Sequence, residues 1–81
     1  LKFPCEFPIK MMGRDNSDFH AAARSLVEQH AGPVSETAIR TAPSRNGRFV
    51  SITITITAES QQQLDAIYMD LSANEDILVA L

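Results

Sequence analysis

The chain has no tryptophan, one cysteine and three glycines among its 81 residues. A lone Cys5 excludes an internal disulfide, and so excludes the bridged frameworks that hold many small secreted domains together. That cysteine usage suits a reducing cytoplasm. No apolar run reaches the ~18 residues that a membrane-spanning helix needs. The N-terminus lacks the charged-then-apolar layout of a signal peptide. It begins at Leu1 rather than methionine, which points to a slightly longer polypeptide. Positive charge is also scarce: seven Lys and Arg stand against ten Asp and Glu, for a net charge of -3. That balance weighs against a protein whose main partner is a phosphate backbone. Two isolated histidines and one cysteine do not make a clustered metal site, and no cofactor motif is present.

What is present is a core. Apolar residues make up 44% of the chain. At this length one domain is expected, burying roughly 60% of the surface its unfolded chain exposes. The run from Gly47 to Thr57 is the sharpest signal. Val50, Ile52, Ile54 and Ile56 alternate with Ser51, Thr53, Thr55 and Thr57. Period-2 alternation of this kind is a strand with one buried face and one hydroxyl-coated face.

Helical signals bracket that strand. Phe19, Ala22, Ala23, Leu26, Val27 and His30 recur at helical spacing, opened by Asn16 or Ser17 and closed by Gly32-Pro33. A second helix opens at Ser60 with Gln63 three residues on, a capping box, and carries Leu64, Ile67, Tyr68 and Leu71. Asn74 is placed as its left-handed stop.

Three more strands complete the chain. The first runs from Phe3 to Met12, with Cys5, Phe7, Ile9 and Met11 on one face, and Gly13-Arg14-Asp15-Asn16 breaks it. Another spans Val34 to Ala42, with Ile39 and Thr37 facing one way and Ala38 and Arg40 the other. It joins the alternating strand through the Asn46-Gly47 hairpin turn. Ile77 to Leu81 forms the last. The order β-α-β-β-α-β with right-handed crossovers defines an α+β, ferredoxin-like sandwich. It is a four-stranded antiparallel sheet with two helices on one face and its first and third strands central.

These residues resemble a known group. Phe3-Pro4, Phe7, Lys10 and Met12-Gly13 look like the opening of the YbeD-like family of small bacterial proteins. His30-Ala31, Ser44 through Ile54, Tyr68 with Leu71, and Asp76-Ile77 agree as well. The resemblance implies a ferredoxin-like fold similar to the amino-acid-sensing ACT regulatory domains. It implies no established activity.

Two surfaces are candidates for function. Lys10, Arg40, Ser51, Thr53 and Thr55 project from neighbouring strands onto the face away from the helices. Two cations above a bed of hydroxyls suit an anionic ligand or a protein partner. Ser and Thr also serve there simply as strand formers that keep the face wet. Met12 and Phe49, if neighbours, add an apolar spot. The turn at Gly13 and Arg14 is the second surface, since free N–H groups at a helix start attract anions. Asp15 and Asp18 compete with an anion there.

His30 is read as a dipole-stabilising residue at the helix end, and His20 as a surface residue. The reading that follows is a non-catalytic binding or regulatory domain. Its partner is a small molecule or a protein, and homodimers through an edge strand or the sheet face are compatible with it. Two alternatives are weaker. An RNA-binding module needs a pair of stacking aromatics on the central strands, and only Phe49 is there. An acylphosphatase-like enzyme needs a glycine-rich loop after the first strand, where this chain offers Arg14 and a single glycine.

Overall fold

In a computed structural model, which describes residues 1–81, the chain folds in the order expected. Strand β1 (Cys5–Arg14) leads to helix α1 (Ser17–Ala31), and a 3-10 turn (Glu36–Ala38) leads into β2 (Ile39–Pro43). Then come β3 (Phe49–Ala58), helix α2 (Gln61–Ala73) and β4 (Val79–Ala80). The strand order is β2-β3-β1-β4, all neighbours antiparallel. The central pair is long. Its register runs from Cys5 opposite Ala58 to Arg14 opposite Phe49.

Side-chain parity then does most of the folding work. Val50, Ile52, Ile54, Ile56 and Ala58 of β3 point to the helix layer and are buried. Ile9 and Met11 of β1 meet them, each with no exposed surface. From above, α1 contributes Phe19, Ala23 and Val27, and α2 contributes Leu64, Ile67 and Leu71. With Ile77, these residues form one apolar cluster of 14 side chains and no buried polar residue. Fully burying an aliphatic side chain contributes about 1.5–3 kcal/mol, so this cluster is the main stabilising term.

The helix ends are tied down by their own side chains. Asn16 Oδ1 accepts from the Phe19 N–H at 2.8 Å, and Ser60 Oγ accepts from the Gln63 N–H at 3.1 Å. The Gln63 side chain reaches one residue past the N-cap rather than back to the Ser60 N–H, so the expected capping box is only half made. Its Oε1 accepts from the Glu59 N–H at 2.7 Å, and its Nε2 donates to the His30 carbonyl at 3.0 Å. The start of α2 is thereby pinned to the end of α1. His30 Nε2 also donates to Asp70 at 2.6 Å, a second tie between the helices. Gly32 closes α1 at φ +78° and ψ -179°, a backbone conformation open to glycine alone.

Several points differ from the sequence reading, among them the start of the first strand at Cys5 rather than Phe3. The first strand does not break at Gly13: Gly13 and Arg14 stay paired with Val50 and Phe49. The second strand starts at Ile39, not Val34. The backbone of Val34 is taken by α1 instead. Its N–H donates to Glu28 Oε2 at 2.8 Å and its carbonyl accepts from Arg24 at 3.3 Å. Arg24 also holds Glu36 at 2.7 Å, which draws residues 36–38, Thr37 among them, into a turn.

Asn74 is not left-handed; its φ is -91° and ψ 127°. It ends α2 through its side chain, whose Oδ1 accepts from the Asp76 N–H at 2.9 Å, a local bond that asparagine favours in turns. The last strand shortens to Val79–Ala80 because Ile77 turns inward to the core. Backbone bonds from Leu78 N–H to the Met12 carbonyl (2.9 Å) and Leu81 N–H to the Lys10 carbonyl (2.8 Å) extend its hold on β1.

Candidate binding face of the sheet

Both helices cover one side of the sheet, leaving the other side bare. The register places Lys10, Thr53 and Arg40 in a single row across β1, β3 and β2. Adjacent strands lie about 4.8 Å apart, so the two cationic side chains start roughly 10 Å from each other with a threonine hydroxyl between them. The next row holds Val79, Met12, Ser51 and Ala42. Ser51 leans its hydroxyl toward the Ala42 carbonyl, 3.5 Å away. Beyond it stand Arg14 and Phe49, with the Arg14 guanidinium 5.4 Å from the centre of the Phe49 ring. Cation–π contacts of this kind fix a long side chain over an aromatic face.

Met12 and Phe49 are diagonal neighbours and share a hollow of about 230 Å³ with Lys10, Ala42, Ser44 and Ser51. Arg45 joins Phe49, Ser44 and Asn46 around the adjoining hairpin tip. The hairpin owes its shape to Gly47 at φ +74° and to Asn46 Oδ1, which accepts from the Arg48 N–H at 3.0 Å and from the Ser44 hydroxyl at 2.9 Å.

Of the six residues singled out from the sequence, Lys10, Arg40, Ser51 and Thr53 lie together on this face. Arg14 shares the face, two rows from Lys10. Gly13 does not. It is buried on the helix side, beneath Phe19 and the Asp76 carbonyl. The polar groups at the start of α1 are already engaged. Asn16 caps the helix, Asp15 Oδ1 lies 2.8 Å from His20 Nε2, and the Asp15 N–H donates to the Arg48 carbonyl at 2.9 Å.

Charge is sorted between the two sides. The four ion pairs are His20–Asp15, Arg24–Glu28, Arg24–Glu36 and His30–Asp70, all on or beside the helix layer. Glu36 and Glu28 together raise the Arg24 pKa further. None of these pairs involves Lys10, Arg14, Arg40 or Arg45. Glu6 is the one acidic side chain on the open face. It stands opposite Thr57 at the far end and accepts that hydroxyl at 3.1 Å. A broader depression along α2, between Asp65, Tyr68 and Met69, carries no cation. No group of three or more His, Cys, Asp and Glu side chains is placed to hold a metal ion. No helix is long and apolar enough to cross a membrane.

Sequence reasoning reached the Lys10–Arg40 row from strand parity. It did not reach the part Asp70 plays, 40 residues from His30; its position beside Ile67 and Leu71 at the margin of the α2 stripe was the available signal.

Topology and surface together define a class: a small α+β domain of ferredoxin-like fold with a bare sheet face bearing cations. Within it, the chain belongs to the family described as protein of unknown function DUF493, whose pattern matches residues 1–81, and the YbeD-like resemblance is thereby shown. The chain is similar to the UPF0250 protein of Chromobacterium violaceum, 38% identical over 81 residues, covering all of this chain and 91% of that protein. UPF0250 protein NE1487 of Nitrosomonas europaea is 39% identical over 71 residues, 88% of this chain and 82% of that one. The solution structure of protein HP0495 from H. pylori shares the fold, with a TM-score of 0.73 at 16% identity over the whole chain and 85% of that structure.

Proposed function

We propose that the protein is a non-catalytic binding module of the cytoplasm that recognises an anionic ligand on the open face of its sheet. The observation that carries this reading is the Lys10–Thr53–Arg40 row: two cations without ion-pair partners flanking a hydroxyl on an uncovered surface. Charge-assisted hydrogen bonds to a carboxylate or phosphate are roughly twice as strong as neutral ones, so such a pair selects for anions. The neighbouring hollow adds apolar contact. A single half-buried cysteine suits a reducing compartment. The topology, shared with small-molecule-sensing regulatory domains, supports a sensing or adaptor role.

The test compares the wild type with the double variant Lys10→Ser/Arg40→Ser in a thermal-shift screen. Amino acids, small dicarboxylates, nucleotides, acyl phosphates and acidic peptides are supplied at millimolar concentration. A ligand at 100 times its dissociation constant adds about 2.7 kcal/mol of apparent stability. The unliganded variant should melt with the wild type, because exposed charges contribute little. A stabilising compound whose effect disappears in the variant supports the reading. Equal stabilisation of both proteins moves the site off this face, and consumption of the bound compound shows an enzyme.

A further inference from the structure

We propose that the occupant of the open face is an acidic polypeptide segment of another protein, seating one apolar side chain in the Met12–Phe49 hollow. The inference rests on the sheet-face reading and names the partner class.

Three observations converge on it. The first is the spread of charge. Lys10 and Arg40 are two strands apart, roughly 10 Å, and Arg14 lies four residues along β1 from Lys10, roughly 13 Å. With Arg45 at the hairpin tip, the four cations frame an area that no single carboxylate or phosphate bridges. Acidic side chains repeating every helical turn, about 5.4 Å, or every second strand residue, about 6.6 Å, do span it.

The second is the hollow itself. At 230 Å³ it falls below the ~300–1,000 Å³ of a typical small-molecule pocket, yet it has room for one leucine- or phenylalanine-sized side chain. It sits inside the cationic frame, with Met12, Ala42 and Phe49 as its apolar lining.

The third is the sorting of charge. The chain carries a net -3, yet nine of its ten acidic residues lie off the open face, in the helix layer and the connecting segments. The face is therefore positive on a negative protein. Its one acid, Glu6, stands at the far end of β1, four residues from Lys10 on the side away from Arg14 and the hollow, so the cations around the hollow have no acid among them. Electrostatic complementarity of this kind selects a partner and fixes its orientation. Nucleic acid fits less well. The single aromatic on the face, Phe49, already carries the Arg14 guanidinium, which leaves no pair of free rings for base stacking.

The experiment is a titration of the isotopically labelled protein, followed by backbone amide shifts. Four probes are used: a synthetic amphipathic Glu/Leu peptide, a peptide of the same length and charge with serine in place of leucine, glutarate, and oligouridylate. The Glu/Leu peptide should shift the amides of Met12, Ala42, Phe49, Ser51 and Thr53. It should bind about tenfold more tightly than the Glu/Ser peptide, the increment expected from one buried apolar side chain. Binding of both should weaken with salt. Met12→Ser should abolish the difference between the peptides while leaving Glu/Ser binding intact. Lys10→Ser/Arg40→Ser should weaken both.

Equal binding of the two peptides overturns the anchor and with it the proposal. Glutarate binding to these amides as tightly as the Glu/Leu peptide also overturns it, while leaving the sheet-face reading standing. Tighter binding of oligouridylate than of either peptide makes this a nucleic-acid surface and overturns it. Concentration-dependent shifts of the same amides without any probe assign the face to a second copy of the chain, and overturn it too. If no probe moves these amides, both the proposal and an anion site on the sheet fall together.

Discussion

Replacing Gly13 by alanine adds one methyl group where the packing has no room for it. Built on the existing backbone, the new Cβ lies 2.6 Å from Phe19 Cδ1, 2.8 Å from Phe19 Cγ and 2.7 Å from the Asp76 carbonyl oxygen. None of these atoms is the free end of a flexible chain. Phe19 is fully buried at the start of α1, and the Asp76 carbonyl is backbone in the segment that leads into β4. Either the sheet and α1 separate at this corner or the turn at Asp76 shifts. Overpacking of this kind costs typically 1–3 kcal/mol. With three contacts this close, the upper half of that range is expected, about 2–3 kcal/mol.

For a domain of this size each kcal/mol moves the melting temperature by about 4–8 °C, so the shift is roughly 8–24 °C. Urea unfolding followed by far-UV circular dichroism is the assay, because the chain has no tryptophan to report by fluorescence. The midpoint should fall with an unchanged slope. Gly47→Ala is the control. That glycine has φ +74° and open space around it, so only backbone strain of about 1–2 kcal/mol applies. Adding Phe19→Leu to Gly13→Ala should cost less than the sum of the two single changes, since the ring is one of the two obstacles. A loss below about 0.5 kcal/mol for Gly13→Ala, within the range of ordinary surface substitutions, would refute the packing argument. So would a larger loss for Gly47→Ala.

Ile54→Ala should cost about 2–5 kcal/mol by the same assay, because Ile54 has no exposed surface and the core closes around it from both helices; a change near zero would mean the strand faces the other way. Asn16→Ala should cost about 1 kcal/mol through loss of the bond to the Phe19 N–H, with Asn16→Asp close to neutral. Tyr68, the one tyrosine, has its pKa raised above 10.0 by burial, and its hydroxyl donates to the Leu81 carbonyl at 2.6 Å. The folded state therefore keeps a proton that the unfolded chain loses near pH 10. The stabilisation is complete below pH 10 and is lost as pH rises through the folded-state value. Tyrosinate absorbance should show a midpoint above 10 in the native protein; a midpoint at or below 10 would contradict the burial.

The parts of the fold that could be read from the chain are those where one physical period dominates. The Val50–Ile56 alternation and the Phe19–Val27 stripe each bury one face, and nothing in the tertiary structure competes with them. Asn16 and Ser60 cap their helices by bonds spanning three residues, so neighbouring residues suffice to place them. The errors occur where distant groups decide. Val34 to Ala38 has strand-like composition, but Arg24 and Glu28 of α1 take its backbone groups. Gly13 looks like punctuation, yet β3 extends far enough to pair it, and the missing side chain serves the packing of Phe19. The Lys10–Arg40 row followed from strand order and parity alone. The hollow and the separation of charge depend on the course of the hairpin and on where each connecting segment ends, which no local pattern records.

The alternation in β3 also separates two kinds of change. Every even position from Val50 to Ala58 belongs to the core, and every odd one from Phe49 to Thr57 to the open face. A substitution at Ser51 or Thr53 therefore changes the open face while leaving the core side chains of β3 in place. The core and the exposed face can drift separately along the same ten residues. A lineage with this strand can rewrite that face by exchanging a few hydroxyls, at the cost only of the strand preference that each Ser or Thr supplies.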